Sequence, residues 1–312
     1  MTTPPATSIP LLAIVGPTAV GKSALAMHLA RRFGGEIVNA DSRQVYRGME
    51  VGTAAPSQAD RAAIPHHLYG IITPDEAFSL ARWLPLATAA IEDITERGGL
   101  PVVVGGTGQY VNALVGGWQA PRVAPNAELR ERLEAIIAQE GVEAAAEELL
   151  EADPEAAARI DLRNPRRVVR ALEVVAALGP GAHGGQSAPT YRMLLLGLTM
   201  SNREELYRRI DDRVDAMLAG GWLDEVRALL DSGYAADLPA LSSMGYRELA
   251  QHLLGEMSLD EAVRRIKAAH HRLARQQYTW FKPTDARIRW LVKGEGVEEE
   301  AAGVVGAWLG EG

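Results

Sequence analysis

The chain has 312 residues, 47% hydrophobic and 23% charged, enough for one sizeable core plus an insertion or a second small domain. It has no cysteine, which excludes a disulfide framework, a thiolate metal site and a cysteine nucleophile, and fits a reducing cytoplasm. The net charge of −8 argues against non-specific nucleic-acid binding, yet the charge is unevenly placed: acids crowd positions 128–155 and 295–300, and arginines crowd 163–170 and 264–275.

Residues 1–8 are Pro/Thr-rich and read as a disordered tail. No signal peptide is expected, since residues 1–10 do not resemble one, and the first apolar run at 11–15 is far too short to span a membrane. Pro10 to Val15 reads as a buried strand, 22–33 as a helix, and 36–40 as a second strand. A third strand is expected at 67–72. A helix follows at 79–97, with Pro85 as a kink or first-turn residue, and then a strand at 100–104. Further strands are expected at 193–198 and 287–291. Continuous apolar strands separated by helices predict an α/β fold: a doubly wound parallel sheet with helices on both faces. The stretch 121–184 breaks this rhythm. It is strand-free and Ala/Glu-rich, bounded by Gly116-Gly117 and by the glycines of 179–185, and reads as an all-helical insertion over a core formed by 9–120 and 185–312. A capping box of Ser258 with Glu261 is expected to open a long helix ending near Thr279. Along it Arg264, Lys267, His271 and Arg275 form a basic stripe beside Val263, Ile266 and Leu273.

Gly16-Pro17-Thr18-Ala19-Val20-Gly21-Lys22-Ser23 matches the phosphate-loop pattern Gly-x-x-x-x-Gly-Lys-Ser/Thr, between a buried strand and a helix. Glycines let the backbone N–H groups curl toward an anion. The helix N-terminus and Lys22 add positive charge, and Ser23 can hold Mg²⁺. The strand at 102–104 ends in Gly105-Gly106-Thr107-Gly108 rather than in an acid. The acid follows the second strand instead, as Asp41. There it can act as a metal ligand, a general base or a helix N-cap. His66 and His67 read as hydrogen-bonded structural histidines.

These residues together resemble the bacterial tRNA dimethylallyltransferases (tRNA isopentenyltransferases). The resemblance rests on the phosphate loop, Asp41-Ser42-Arg43-Gln44-Val45-Tyr46, Pro65-His66-His67-Leu68, Gly105-Gly106-Thr107-Gly108-Gln109-Tyr110, the arginine motif 164–173, positions 209–217, Gly245-Tyr246-Arg247-Glu248 and Gln277-Tyr278-Thr279-Trp280-Phe281. It covers positions 16 to 281, with a glutamine in 270–277 where the family pattern carries an arginine. It implies a P-loop enzyme that moves the dimethylallyl group of dimethylallyl diphosphate to the exocyclic amine of the adenosine 3′ of the anticodon in tRNA.

By that resemblance Asp41, Thr107, Lys22 and Arg213 form the catalytic set, with Asp41 as base and Thr107 orienting the site. Gly16 to Ser23, with Arg209 and Arg213, hold the diphosphate, and Ser23 is a ligand of Mg²⁺, the implied cofactor. Asp41, Ser42, Arg43, Gln44, Thr107, Arg130, Arg166, Arg167, Val168, Arg170 and Arg275 contact the tRNA anticodon loop, the last five of them and Arg130 outside the phosphate-proximal motifs. A cytoplasmic monomer without a membrane partner is expected. Three rivals share parts of this pattern: an ATP-dependent small-molecule kinase, prenyl transfer to free AMP or ADP, and a non-catalytic tRNA-binding module. The 41–46 motif and the 105–110 loop count against the kinase. The large insertion favours a macromolecular acceptor over a free nucleotide. The intact phosphate loop with Asp41 and Thr107 argues against a non-catalytic module.

Overall fold

The computed structural model describes residues 9–118, 121, 123–182 and 191–310; the expected tail and the His183-Gly184-Gly185 end of the second hinge lie outside them. The chain divides into two compact units, Met1–Gly116 with Ala188–Gly312, and Gly117–Ser187. The first opens with β1 (Ile9–Val15), α1 (Lys22–Phe33), β2 (Gly35–Asn39), α2 (Glu50–Thr53), α3 (Gln58–Ala63), β3 (His66–His67), α4 (Leu80–Glu96), β4 (Leu100–Val104) and α5 (Gly108–Val115). The second holds α6 (Ala127–Glu140), α7 (Val142–Ala152), α8 (Pro154–Ala158) and α9 (Pro165–Leu178). The first unit then resumes with β5 (Tyr191–Thr199), α10 (Arg203–Ala219), α11 (Trp222–Asp231), α12 (Tyr246–Leu253), α13 (Leu259–Trp280), β6 (Ile288–Val292) and α14 (Val297–Gly310).

The six strands form one parallel sheet in the order β3-β2-β4-β1-β5-β6. β1 is central because it is apolar on both faces. Leu12 and Ile14 pack with Leu25 and Leu29 of α1 and with Ala301 and Val305 of α14. Leu11, Ala13 and Val15 point the other way and are equally buried, so that face is covered too. Each such fully buried Leu, Ile or Val contributes roughly 1.5–3 kcal/mol. α4 packs on β2 and β4, and its Pro85 sits in the second turn rather than the first. The order reverses around β1, so the loops after β1, β2 and β4 open at one end of the sheet, where open α/β folds hold their ligands.

Two expectations need correction. The third strand is two residues long, pairing His66 with Ile37 and His67 with Val38. The backbone then turns at Leu68 (φ 65°) and Gly70 (φ 58°). The rest of the expected strand bonds to another loop: the Gly70 N–H donates to the Gln44 carbonyl, and the Ile71 N–H to that of Val45. The capping box at Ser258 is half made. Ser258 Oγ accepts from the Glu261 N–H at 3.2 Å, but the Glu261 carboxylate turns to Arg264 and Arg265.

The helical unit has its own core of Leu133, Ala145, Leu149, Val168, Val169 and Leu172. Its helices are capped by side chains: Asn126, Asp153 and Asn164 each accept from a backbone N–H in the first turn of the helix that follows.

Candidate active site

The phosphate loop is built by constraint. Gly16 has φ 134°, and a Cβ there would collide with the Leu198 carbonyl oxygen of β5, so only glycine lets β1 run this close. Gly21 turns the chain into α1 at φ 105°, and Ala19 is left-handed at φ 62° without being glycine. A non-glycine held there stores backbone strain, a mark of sites that bind. Val20, fully buried, pins the loop to the core. Lys22 folds back so that Nζ donates to the Pro17 carbonyl at 2.7 Å. Burial, and then the nearby Arg213, push its ammonium down to about 7, against a smaller opposing pull from Asp41. An anion seated in the loop would replace that missing solvation.

Lys22, Ser23, Arg209, Asp212 and Arg213 line a cavity of about 500 Å³ with Asp41, Gln44, Tyr69 and Gln277. Burial lowers Arg213 as well, and Asp41 again acts against it. Arg209 donates to the Ala19 carbonyl at 3.2 Å, tying α10 to the strained residue of the phosphate loop.

Asp41 is placed by Asn39, a residue that no motif marks. Asn39, 0% exposed at the end of β2, accepts from the Asp41 N–H at 2.7 Å. Its amide donates to the Asp41 carbonyl at 3.0 Å and to the Leu68 carbonyl at 2.9 Å. The Trp83 indole N–H donates to the Asn39 carbonyl at 2.8 Å. A buried amide so fully bonded fixes the turn around it. Asp41 Oδ1 accepts from the Arg43 N–H at 2.9 Å, so the side chain closes an Asx turn rather than capping a helix. Thr107 Oγ1 accepts from the Ser42 N–H at 3.0 Å and lies 3.3 Å from Ser42 Oγ, locking the same turn from the β4 side.

Gln44 lines the cavity with its amide engaged elsewhere, donating to the carbonyls of Thr53 (2.9 Å) and Ala54 (3.1 Å). The segment that carries those carbonyls is tied to α11 just before them. Glu225 accepts from the N–H groups of Val51 (2.7 Å) and Gly52 (3.0 Å) and from the Tyr246 hydroxyl (2.7 Å). Tyr69, carried into the cavity by the turn at Leu68, has no hydrogen-bond partner for its hydroxyl among the described residues. Burial and then Asp41 raise that hydroxyl well above the ordinary phenol range, so it stays a neutral donor.

The remaining expected contacts divide. In the helical unit Arg166 and Arg167 are exposed and form no ion pair among the described residues, although Arg167 lies near enough to Asp161 to help lower its carboxyl. Arg130 and Arg170 instead converge on Glu173, whose side chain is fully buried, at 2.7 Å and 3.1 Å. Arg170 also donates to the Val123 carbonyl at 3.0 Å. Val168 is 0% exposed, on the apolar stripe of α9, and is not available for an RNA contact. The basic stripe of α13 faces acids: Lys267 meets Asp215 at 2.7 Å, His271 meets Asp211 at 2.9 Å, and Arg264 meets Glu261 at 2.8 Å. Arg275 donates to the Tyr207 hydroxyl at 3.0 Å. Arg43 is exposed and donates to the Pro239 carbonyl at 3.2 Å. His67 bonds Glu36 at 2.7 Å and His66 bonds the Ile64 carbonyl at 2.7 Å, both in structural roles.

A phosphate loop, partly buried cations and a carboxylate around one cavity, at the switch point of a parallel sheet, define a P-loop enzyme that holds a phosphate-bearing substrate beside an acid–base group. The family model of IPP transferase matches residues 44–284. The tRNA dimethylallyltransferase of Roseiflexus sp. (strain RS-1) is 50% identical over 303 residues, covering 96% of this chain and 99% of that protein. That of Thermomicrobium roseum is 50% identical over 275 residues, covering 88% and 83%. Among solved structures, the full-length tRNA isopentenylpyrophosphate transferase of Bacillus halodurans superposes with a TM-score of 0.72 at 39% identity, covering 97% of each chain. A eukaryotic dimethylallyltransferase acting on tRNA gives a TM-score of 0.77 at 26% identity, covering 96% of this chain and 78% of that one. The chain belongs to the IPP transferase family and is a transferase.

Proposed function

We propose that this enzyme transfers the dimethylallyl group of dimethylallyl diphosphate to the exocyclic amine of the adenosine 3′ of the tRNA anticodon, releasing diphosphate. The carrying observation is one cavity lined together by Asp41, Arg213 and the phosphate loop with its Lys22, whose charge both Arg213 and Asp41 influence. In one displacement a bond forms from the amine nitrogen to the allylic carbon, and that carbon's bond to the diphosphate oxygen breaks. The electron pair leaves with the diphosphate and the amine proton goes to Asp41. Oδ1 of Asp41 is held by the Arg43 N–H, so the second oxygen is the one that takes the proton. The allylic carbon tolerates positive charge, so stabilising the leaving group is the main demand; Lys22, Arg213, Arg209 and the loop N–H groups meet it. Thr107 and Asn39 hold the Asp41 turn, because a base misplaced by about 1 Å can lose ~100-fold in rate.

Mg²⁺ fits this donor set. Ser23 and Asp212 offer only oxygen in one cavity, and the described residues contain no cluster of three or more His, Cys, Asp or Glu able to cage a metal. Such a site suits an ion held by one or two protein oxygens and by substrate phosphates. When bound, Mg²⁺ neutralises charge on the departing diphosphate. The acceptor base must leave its stack to reach the cavity, which costs about a few kcal/mol and less in a loop. Arg166 and Arg167 are exposed cations of the helical unit with no ion pair among the described residues, offered to backbone phosphates, with Arg43 and Arg275 in the core unit. We take the enzyme to act as a cytoplasmic monomer; among the described residues no helix is long and apolar enough to cross a membrane.

The test is incorporation of labelled dimethylallyl diphosphate with Mg²⁺ into unmodified tRNA, with AMP and ATP as parallel acceptors. Label on tRNA alone, lost with EDTA, is expected. Label on AMP alone, or ATP turnover without label transfer, overturns the reading.

A further inference from the structure

Gln277 is a polar residue on the inward side of α13, in line with Ala262, Ile266, Ala269 and Ala274, and is 5% exposed. Burying a carboxamide is unfavourable unless both of its ends are bonded. Both are, and neither partner belongs to α13. Oε1 accepts from the Thr18 N–H in the phosphate loop at 2.7 Å, and Nε2 donates to the Gly106 carbonyl, one residue before Thr107, at 3.2 Å. There is no slack around the bridge: a Cβ on Gly106 would strike Gln277 Nε2, and one on Gly105 would strike the Ala40 carbonyl. Thr107 in turn fixes the Ser42 N–H, and so the Asp41 turn.

We propose that Gln277 is a positioning residue that sets the separation between the phosphate loop and the Thr107 loop, and through them between donor and acceptor. This role rests on the transfer reaction of the preceding subsection. It has an unusual signature. The Thr18 N–H belongs to the loop that meets the anion, and Gln277 occupies it. Removing Gln277 therefore frees a donor for diphosphate while loosening the register of the two loops. A residue needed only for folding would weaken binding and turnover together.

The experiment compares the wild type with Gln277→Met, which keeps the volume and removes both hydrogen bonds, and with Gln277→Glu, which keeps the acceptor for Thr18 and removes the donor to Gly106. The readouts are Kd for inorganic pyrophosphate, kcat and KM for labelled dimethylallyl diphosphate and tRNA, and Tm. For Gln277→Met a kcat loss on the order of ten- to a hundredfold is expected, with KM for tRNA within about threefold and pyrophosphate bound at least as tightly as by wild type. For Gln277→Glu a kcat loss of at least about tenfold is expected, with KM for tRNA again within about threefold. If Gln277→Met does not fold, the second variant decides alone. A kcat within about threefold of wild type in a folded variant, or kcat and pyrophosphate affinity falling together in Gln277→Met, overturns the proposal. A wild-type enzyme that prenylates no tRNA overturns the transfer reaction itself, whereas an active wild type matched by its variants overturns only the role of Gln277.

Discussion

Asp41 has two carboxylate oxygens, and the Asx turn uses one. Asp41→Asn keeps an oxygen for the Arg43 N–H and removes the proton acceptor. It is therefore expected to lower kcat by about 100- to 10,000-fold, with tRNA Kd within about threefold, read by single-turnover prenylation and filter binding. Lys22 gives a second prediction at this scale. With its ammonium lowered to about 7, free enzyme above that pH holds mostly the neutral amine. Diphosphate selects the charged form, so binding takes up a proton and affinity falls as pH rises from 7 to 9. Below about 7 the amine is already charged and the slope disappears. In Lys22→Arg the guanidinium stays protonated throughout, so the difference between the two pyrophosphate titrations isolates this contribution from the ligand's own protonation. Identical slopes in the two proteins would remove the lowered lysine from the account.

At the level of elements, the turn from β1 into α1 is a hard constraint. Gly16→Ala combines a strained φ of 134° with a collision against the Leu198 carbonyl. It is expected to lower stability by at least ~2 kcal/mol and to abolish measurable pyrophosphate binding, checked by denaturant unfolding and calorimetry. The short β3 follows from the same economy of backbone bonds. Once Leu68 turns left-handed its carbonyl is taken by Asn39, and the next N–H groups find carbonyls at Gln44 and Val45. The expected strand becomes the clamp that carries Tyr69 into the cavity. On α13 the basic stripe is real in spacing, but Asp211 and Asp215 of α10 neutralise much of it. Its helical period is a property of one segment, while its charge belongs to two.

For the molecule as a whole, a net charge of −8 requires that RNA affinity come from a few well-placed cations. In the helical unit Arg130 and Arg170 converge on Glu173, leaving Arg166 and Arg167 exposed at the start of α9. Replacing both with alanine is expected to weaken tRNA binding and to reduce the slope of log affinity against log salt by about 1–2, while pyrophosphate affinity stays unchanged. A slope equal to wild type would return both residues to a solvated surface.

The sequence by itself determined the sheet, the phosphate loop and the helical insertion. Each is a local pattern: apolar runs, a glycine spacing that only one backbone path satisfies, and a stretch with no strand signal. It also placed Asp41 after the second strand, which in a parallel sheet puts it at the same end as the loop after the first; that β4 lies between them was decided by the fold. The tertiary structure alone decided which polar groups meet. Asn39 and Gln277 carry little signal as single residues, although Gln277 falls on the inward spacing of α13. Their roles appear only when chain segments far apart in sequence, such as Thr18 and Gln277, come within 2.7 Å. The same holds for the arginines. Composition shows how many there are, but whether a guanidinium faces Glu173 or solvent depends on which acid the fold brings opposite, because ion pairing is set by distance in space and not along the chain.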